Sequence, residues 1–224
     1  RSHLGGFWYT PHFPKGFIFQ SSLTAFTNVH HEIYLVPMRH TVLLIFACST
    51  ASLAWGQAFV VRPFLQDAEP TSIRVVWEAG GLTPSTLEWG ADETLGNSIA
   101  SGGTVSLGGM MHEVFLDGLL PNTPYFYTVT AGLETTEVAR FRTPPVPEAE
   151  TDFSFVAMSD MQRSNSNPGI FDEVIHQGVL DYFGGVTSDE IALVLIPGDL
   201  VDNGNSYNEW ANDFFAPSHD LFSH

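Results

Sequence analysis

Two domains in tandem are predicted: an all-β sandwich over residues 59–143 and the start of an α/β unit over residues 152–224. Three observations carry this reading. Short runs rich in β-branched and aromatic residues recur between Gly, Pro and Asn up to Thr143. A proline-rich break, Pro144-Pro145-Val146-Pro147, then ends that pattern. Beyond it, nearly continuous apolar strands alternate with helical patterns, the grammar of a parallel sheet carrying helices. Hydrophobic residues make up 44% and charged ones 15% of the 224, which excludes a disordered chain or a coiled coil.

The first 58 residues read differently. Met38-Arg39-His40 is a short basic start, and Thr41 to Ala54 is an uncharged run around Val42-Leu43-Leu44-Ile45-Phe46-Ala47. Small residues follow at cleavage spacing, as Ser52-x-Ala54 or Gly56-x-Ala58. This pattern predicts a signal peptide over 38–58 and a secreted or periplasmic protein. Cys48 offers a lipoprotein anchor as the other reading, but Ile45-Phe46-Ala47 matches that pattern poorly. The run is too short for a comfortable transmembrane span, so no transmembrane segment is expected after cleavage. Residues 1–37 lack a starting Met and any sustained period, and are expected to lie upstream of the natural protein.

Charge narrows the function further. Eight Lys and Arg against 25 Asp and Glu give −17. Residues 59–224 keep five Arg, no Lys and 24 acids, a balance of −19. A nucleic-acid binder working through phosphate contacts carries the opposite sign, so that class is excluded. One Cys makes neither an intrachain disulfide nor a Cys-rich zinc site.

Within the sandwich, Ser72-Ile73-Arg74-Val75-Val76-Trp77 alternates with period two. Ser85-Thr86-Leu87-Glu88-Trp89, Met111 to Leu116 and Tyr125 to Thr130 follow as further strands. Leu119-x-Pro121-x-Thr123-x-Tyr125 resembles the turn into a late strand of immunoglobulin and fibronectin type III-like sandwiches, where a corner Tyr bonds back to the backbone. Trp77 is the expected aromatic between the sheets. His112 falls in a strand and is read as structural. Residues 144–151, three prolines and two acids among them, form the linker.

In the second domain, Phe153 to Met158 and Ile191 to Ile196 are the apolar strands, expected to lie side by side in a sheet covered on both faces in the whole domain, and to be partly uncovered and aggregation-prone in this chain alone. Asn167-Pro168 predicts a helix start, with Ile170, Phe171, Val174, Ile175 and Phe183 on its buried face. Ser206-x-x-Glu209 predicts a capping box ahead of Tyr207, Trp210, Ala211, Phe214 and Phe215.

Both strands run into acid: Ser159-Asp160-Met161-Gln162 after the first, and Gly198-Asp199-Leu200-Val201-Asp202-Asn203-Gly204 after the second. Ligands of open α/β sheets bind outside the carboxyl ends of the strands. Two carboxylates placed together there repel unless a proton or a cation lies between them. Carboxylate oxygens suit Mg, Mn, Fe or Zn.

Ser159-Asp160-x-Gln162, about forty residues before Gly198-Asp199-Leu200-Val201-Asp202-Asn203-Gly204, resembles the first two motifs of calcineurin-like metallophosphoesterases. The preceding sandwich, with its Leu-x-Pro-x-Thr-x-Tyr run and Phe141-x-Thr143-Pro144 exit, resembles the N-terminal domain of purple acid phosphatases. The resemblance implies an α/β metallophosphoesterase domain beginning at 152 and a secreted, metal-dependent phosphoric ester hydrolase. It implies two divalent or trivalent metal ions (Fe, Zn, Mn or Mg) and a phosphate-ester substrate. Asp160 would bind the first metal and Asp199 would bridge both. Gln162 would ligate where many members have His, and Asp202 stands where purple acid phosphatases place an iron-binding Tyr. Arg163 is the candidate phosphate contact. The resemblance names no catalytic acid or base here. The later motifs, Gly-Asn-His-Glu/Asp and downstream histidines, do not occur before His224. The chain is therefore expected to be the N-terminal part of a longer protein, inactive alone. The contrasting functions are a surface or adhesion-type protein binding through its sandwich, and an unrelated surface protein whose aspartates only form turns.

Overall fold

The computed structural model describes residues 58–184 and 187–224, so the readings for 1–37 and for Met38 to Gln57 lie outside the described residues. Among the described residues no helix is long and apolar enough to cross a membrane.

Nine strands build the sandwich: β1 (Phe59–Glu69), β2 (Ser72–Gly80), β3 (Ser85–Gly90), β4 (Asn97–Ser101), β5 (Thr104–Val105), β6 (Gly109–Leu116), β7 (Pro124–Ala131), β8 (Glu134–Thr135) and β9 (Ala139–Arg142). One sheet runs β1-β2-β6-β5. The other runs β4-β3-β7-β8, with β9 also paired to β7. Every pairing in both sheets is antiparallel. All four strands predicted from alternation are present. Pro63 falls in β1, an edge strand whose register shifts between Val61 and Phe64, where a missing N–H is tolerated.

Alternation explains the core. Ile73, Val75 and Trp77 from β2, Val114 and Leu116 from β6, Leu87 from β3, and Tyr125, Tyr127 and Val129 from β7 meet between the sheets. Trp77 is completely buried there, as expected. The imidazole of His112, paired opposite it, stacks on its ring at 5.2 Å and 5°. His112 Nδ1 lies 3.0 Å from Ser101 Oγ and Nε2 3.2 Å from the Thr83 carbonyl. Burial holds its pKa below the usual value, so this is a neutral core histidine.

The corner also forms. The Tyr125 hydroxyl accepts the Leu120 N–H at 2.9 Å. Thr143 at the exit donates its hydroxyl to the Leu120 carbonyl at 2.6 Å and accepts the Thr123 N–H at 3.0 Å. One turn thus ties down both the entry to β7 and the departing chain.

The second region contains β10 (Ser154–Ala157), α1 (Ile170–Glu173), α2 (Thr187–Glu190), β11 (Ile191–Leu195), α3 (Tyr207–Glu209) and α4 (Ala216–Phe222). A π-helical stretch, Val174–Leu180, prolongs α1, and another, Trp210–Phe215, joins α3 to α4. Strands β10 and β11 pair in parallel, Ala157 opposite Leu195. Val156, Ile191, Val194 and Ile196 pack with Met161, Phe171, Ile175, Phe214 and Leu221.

One expectation is met, the partial uncovering of the apolar strands, and two need correction. Among the described residues the helices cover only one face of β10 and β11: Phe153 (69%), Phe155 (52%), Leu193 (42%) and Leu195 (50%) remain exposed. Alternate side chains of a strand point to opposite faces, and the described helices supply one layer. Asn167 does not cap α1; its carbonyl accepts the Ile170 N–H at 3.3 Å in a turn, and Gly169 occupies the cap. The Ser206 capping box does not close either. Ser206 N–H turns back to the Asn203 carbonyl at 2.8 Å, and Glu209 Oε2 accepts the Asn203 N–H at 2.6 Å instead.

The sandwich and this region pack directly. Val61, Phe64, Val76 and Ala211 share a cluster with Phe215 and Phe222, and the Phe64 and Phe215 rings lie 4.9 Å apart. The Tyr127 hydroxyl donates to the Ser223 carbonyl at 2.8 Å. Arg140 donates two hydrogen bonds to Asp189 (2.6 and 2.9 Å), and Arg142 a third (2.8 Å). These bonds, Arg140 first, outweigh partial burial and hold the Asp189 carboxyl below its usual range.

Candidate functional site

The loops leaving β10 and β11 emerge at the same end of the parallel pair and are stitched together. Met158 N–H donates to the Leu195 carbonyl at 3.1 Å, and Gln162 N–H donates to the Asp199 carbonyl at 3.0 Å. Ser159 Oγ adds a bond to the Gly198 carbonyl at 3.3 Å. The segments carrying Asp160, Gln162 and Asp199 are therefore neighbours.

Both aspartates occupy the left-handed region, with φ of 58° at Asp160 and 54° at Asp199. That region costs an L residue roughly 1–2 kcal/mol, and Asp tolerates it better than most. Each chain reverses sharply as it leaves its strand, and the carboxylates stay exposed. Gln162 differs: its side-chain oxygen is buried and has no hydrogen-bond partner among the described residues. A buried amide oxygen left unbonded is expensive, and unmet acceptors of this kind mark places where an ion, water or ligand completes the set.

Three oxygen donors, two anionic and one neutral, thus stand on two bonded loops. Their chemistry fits a hard cation. Among the described residues no three His, Cys, Asp or Glu side chains gather into a metal-binding group, so these donors are at most part of a coordination shell.

Arg163 continues the first loop, and its Nη1 lies 3.6 Å from Asp213 Oδ1. Both line a cleft of about 370 Å³ with Met161, Phe171 and Asn212. Asp202 is exposed. Of the other polar candidates, His176 Nε2 approaches Asp172 (3.7 Å) and Asp220 (3.6 Å). His219 is held below its usual pKa, chiefly by burial. Neither lies among the residues of the two stitched loops.

Sequence reasoning missed the contact of this region with the sandwich. Glu78 is fully buried, and its carboxylate accepts the Tyr207 hydroxyl. A signal for it existed: Glu78 interrupts the apolar run from Val75 to Ala79.

Residues 61–143 match the family of the purple acid phosphatase N-terminal domain. That segment is similar to a purple acid phosphatase N-terminal domain, and its two antiparallel sheets form a β-sandwich. Among solved structures, the purple acid phosphatase PPD1 from yellow lupin (Lupinus luteus) seeds is similar at 22% identity and a TM-score of 0.54, covering 72% of this chain and 33% of that one. PhoD is similar at 19% identity and a TM-score of 0.47, covering 64% of this chain and 28% of that one. The chain thus spans about a third of the length of the phosphatases it matches. No curated protein matches it.

Proposed function

We propose that the whole protein is a secreted or periplasmic metal-dependent phosphoesterase, and that Asp160, Gln162 and Asp199 supply the first ligands of a dinuclear metal centre. The observation carrying this reading is the pair of left-handed aspartates on hydrogen-bonded loops, beside the unpartnered Gln162 oxygen. The purple acid phosphatase-type domain ahead of them supports the class of chemistry. The basic start and apolar run at Met38 support export.

In this reading Asp160 and Asp199 hold negative charge at the carboxyl end of the sheet, and Gln162 contributes a neutral oxygen from the same loop as Asp160. The backbone bond from Gln162 to Asp199 keeps the two loops from separating as charge is added or removed. Arg163, with more than half its side chain accessible, meets a phosphate oxygen as it swings from Asp213. Two cations held there by Asp160, Gln162 and Asp199 with further ligands would supply electrostatic stabilisation of the phosphoryl oxygens and activation of water for in-line displacement.

The test is to assay the full-length protein on a chromogenic phosphomonoester and a phosphodiester, with Mn, Zn, Fe or Mg added in turn. Metal-dependent turnover that falls by about two to three orders of magnitude in Asp199→Asn is expected, as for loss of a major electrostatic contributor. Turnover indifferent to metal and to both aspartates would refute the proposal.

A further inference from the structure

Among the described residues Glu78 is the only acid that is fully buried. It lies in β2, opposite Met111 of β6. Its Oε1 accepts the Ser106 hydroxyl and the Gly108 N–H, the latter at 3.0 Å, and its Oε2 accepts the Tyr207 hydroxyl. A carboxylate this deep is tolerated only when its lone pairs are met by donors, and here one donor comes from the other side of the domain junction. Burial, with the hydrogen bond and charge of Glu78, pushes the Tyr207 phenol up, so its hydroxyl stays a donor. Gly108 leaves room for this pair, because a Cβ there would collide with the Tyr207 hydroxyl and crowd Glu78 Oε1 until one of them shifted.

Tyr207 is the first residue of α3, directly after the loop that begins at Asp199. That loop hangs on the turn Tyr207 begins. Asn203 N–H donates to Glu209 Oε2 (2.6 Å), Asn205 N–H to Asn203 Oδ1 (3.1 Å), and Trp210 Nε1–H to the Gly204 carbonyl (2.9 Å). The Asp199 carbonyl closes the other end by accepting Gln162 N–H.

We infer that Glu78 and Tyr207 form a latch through which the sandwich sets the position of the Asp199–Ser206 loop. Both are positioning residues for the metal centre proposed above, on which this inference rests. The sandwich then acts as a jig for the acidic loop as well as a neighbouring domain. A latch built from one buried charge and one phenol fixes direction as well as distance, which apolar packing alone does less well.

The test compares the full chain with Tyr207→Phe, Glu78→Gln and Gly108→Ala by residue-resolved amide hydrogen exchange and by titration with Mn²⁺. In Tyr207→Phe, amides of Asn203, Asn205 and Ser206 should exchange roughly tenfold faster, the effect of losing one hydrogen bond to a charged group. Amides of Tyr127 and Val129 in β7 should keep their rates, and Mn²⁺ affinity should fall by a similar factor. Gly108→Ala, which leaves both latch side chains in place but crowds them apart, should reproduce the loop effect. Unchanged loop amides, acceleration spread equally over β7, or unchanged Mn²⁺ affinity with a loosened loop would each overturn the inference. If the wild type binds no Mn²⁺, the metal reading fails by itself, and the loop's exchange rates still decide whether the latch exists.

Discussion

At the scale of single residues, the conformation of the aspartates separates function from turn formation. A residue kept at positive φ for structure alone gains from Gly, whereas one kept for its carboxylate loses its purpose. Asp160→Gly is expected to leave stability unchanged or raise it by up to about 1 kcal/mol, while removing metal binding. Asp160→Val should lose about 1–2 kcal/mol, because a β-branched side chain resists the left-handed region. Denaturant midpoints and metal titration of the two variants check this.

His112 gives a pH prediction of opposite character. Its pKa is lowered in the fold by burial, so the unfolded chain binds more protons as pH falls below about 6.5. Stability should therefore rise with pH through the window below that value and level off above it. His219, lowered in the same direction, adds to the slope. Unfolding of His112→Gln between about pH 5 and 7 should show a shallower dependence than the wild type. An unchanged slope would mean that His112 is not the titrating group.

At the scale of elements, β2, β3, β6 and β7 were legible because each places alternate apolar residues on one face. The Leu119 to Tyr125 turn was legible through its resemblance to the corner of immunoglobulin and fibronectin type III-like sandwiches. Tyr125→Phe should cost about 1–2 kcal/mol, since the Leu120 N–H loses its acceptor; a denaturant midpoint matching the wild type would contradict the corner's role. The edges were less legible. Strands β4, β5 and β8 carry little apolar pattern, and pairing rather than propensity makes them. Helix α3 starts at Ser206 as expected but without its capping bonds, and α1 starts after Gly169 rather than Asn167, because Asn203 and Asn167 satisfy nearby backbone groups through turns. Apolar strands 153–158 and 191–196 were read correctly as a parallel pair. Their partial uncovering was also expected, but not which face stays bare, since period and hydropathy say that a face is apolar without saying which element lies on it. In the candidate site, the positions of Asp160 and Asp199 after their strands followed from sequence. The left-handed turns and the buried Gln162 oxygen did not, because they depend on how the two loops bond to each other.

At the scale of the molecule, the proline-rich segment was read as a linker between two domains, and the residues on its two sides make direct contacts. Phe64 on Phe215, Tyr127 on Ser223, Glu78 on Tyr207 and two arginines on Asp189 are among them. Phe64→Ala should cost about 3 kcal/mol, as for a buried aromatic, and should separate one unfolding transition into two by calorimetry. A single transition, merely shifted, would place the cooperative core inside the sandwich instead.

The central claim is that the loops after β10 and β11 hold metal through Asp160, Gln162 and Asp199. Anomalous X-ray scattering from crystals of the full-length protein grown with Mn²⁺ tests it most directly. The account predicts an anomalous peak bonded to both Asp160 and Asp199, and its disappearance in Asp199→Asn crystals of unchanged fold. Mn²⁺ elsewhere, with both carboxylates bonded only to water or backbone, would contradict it.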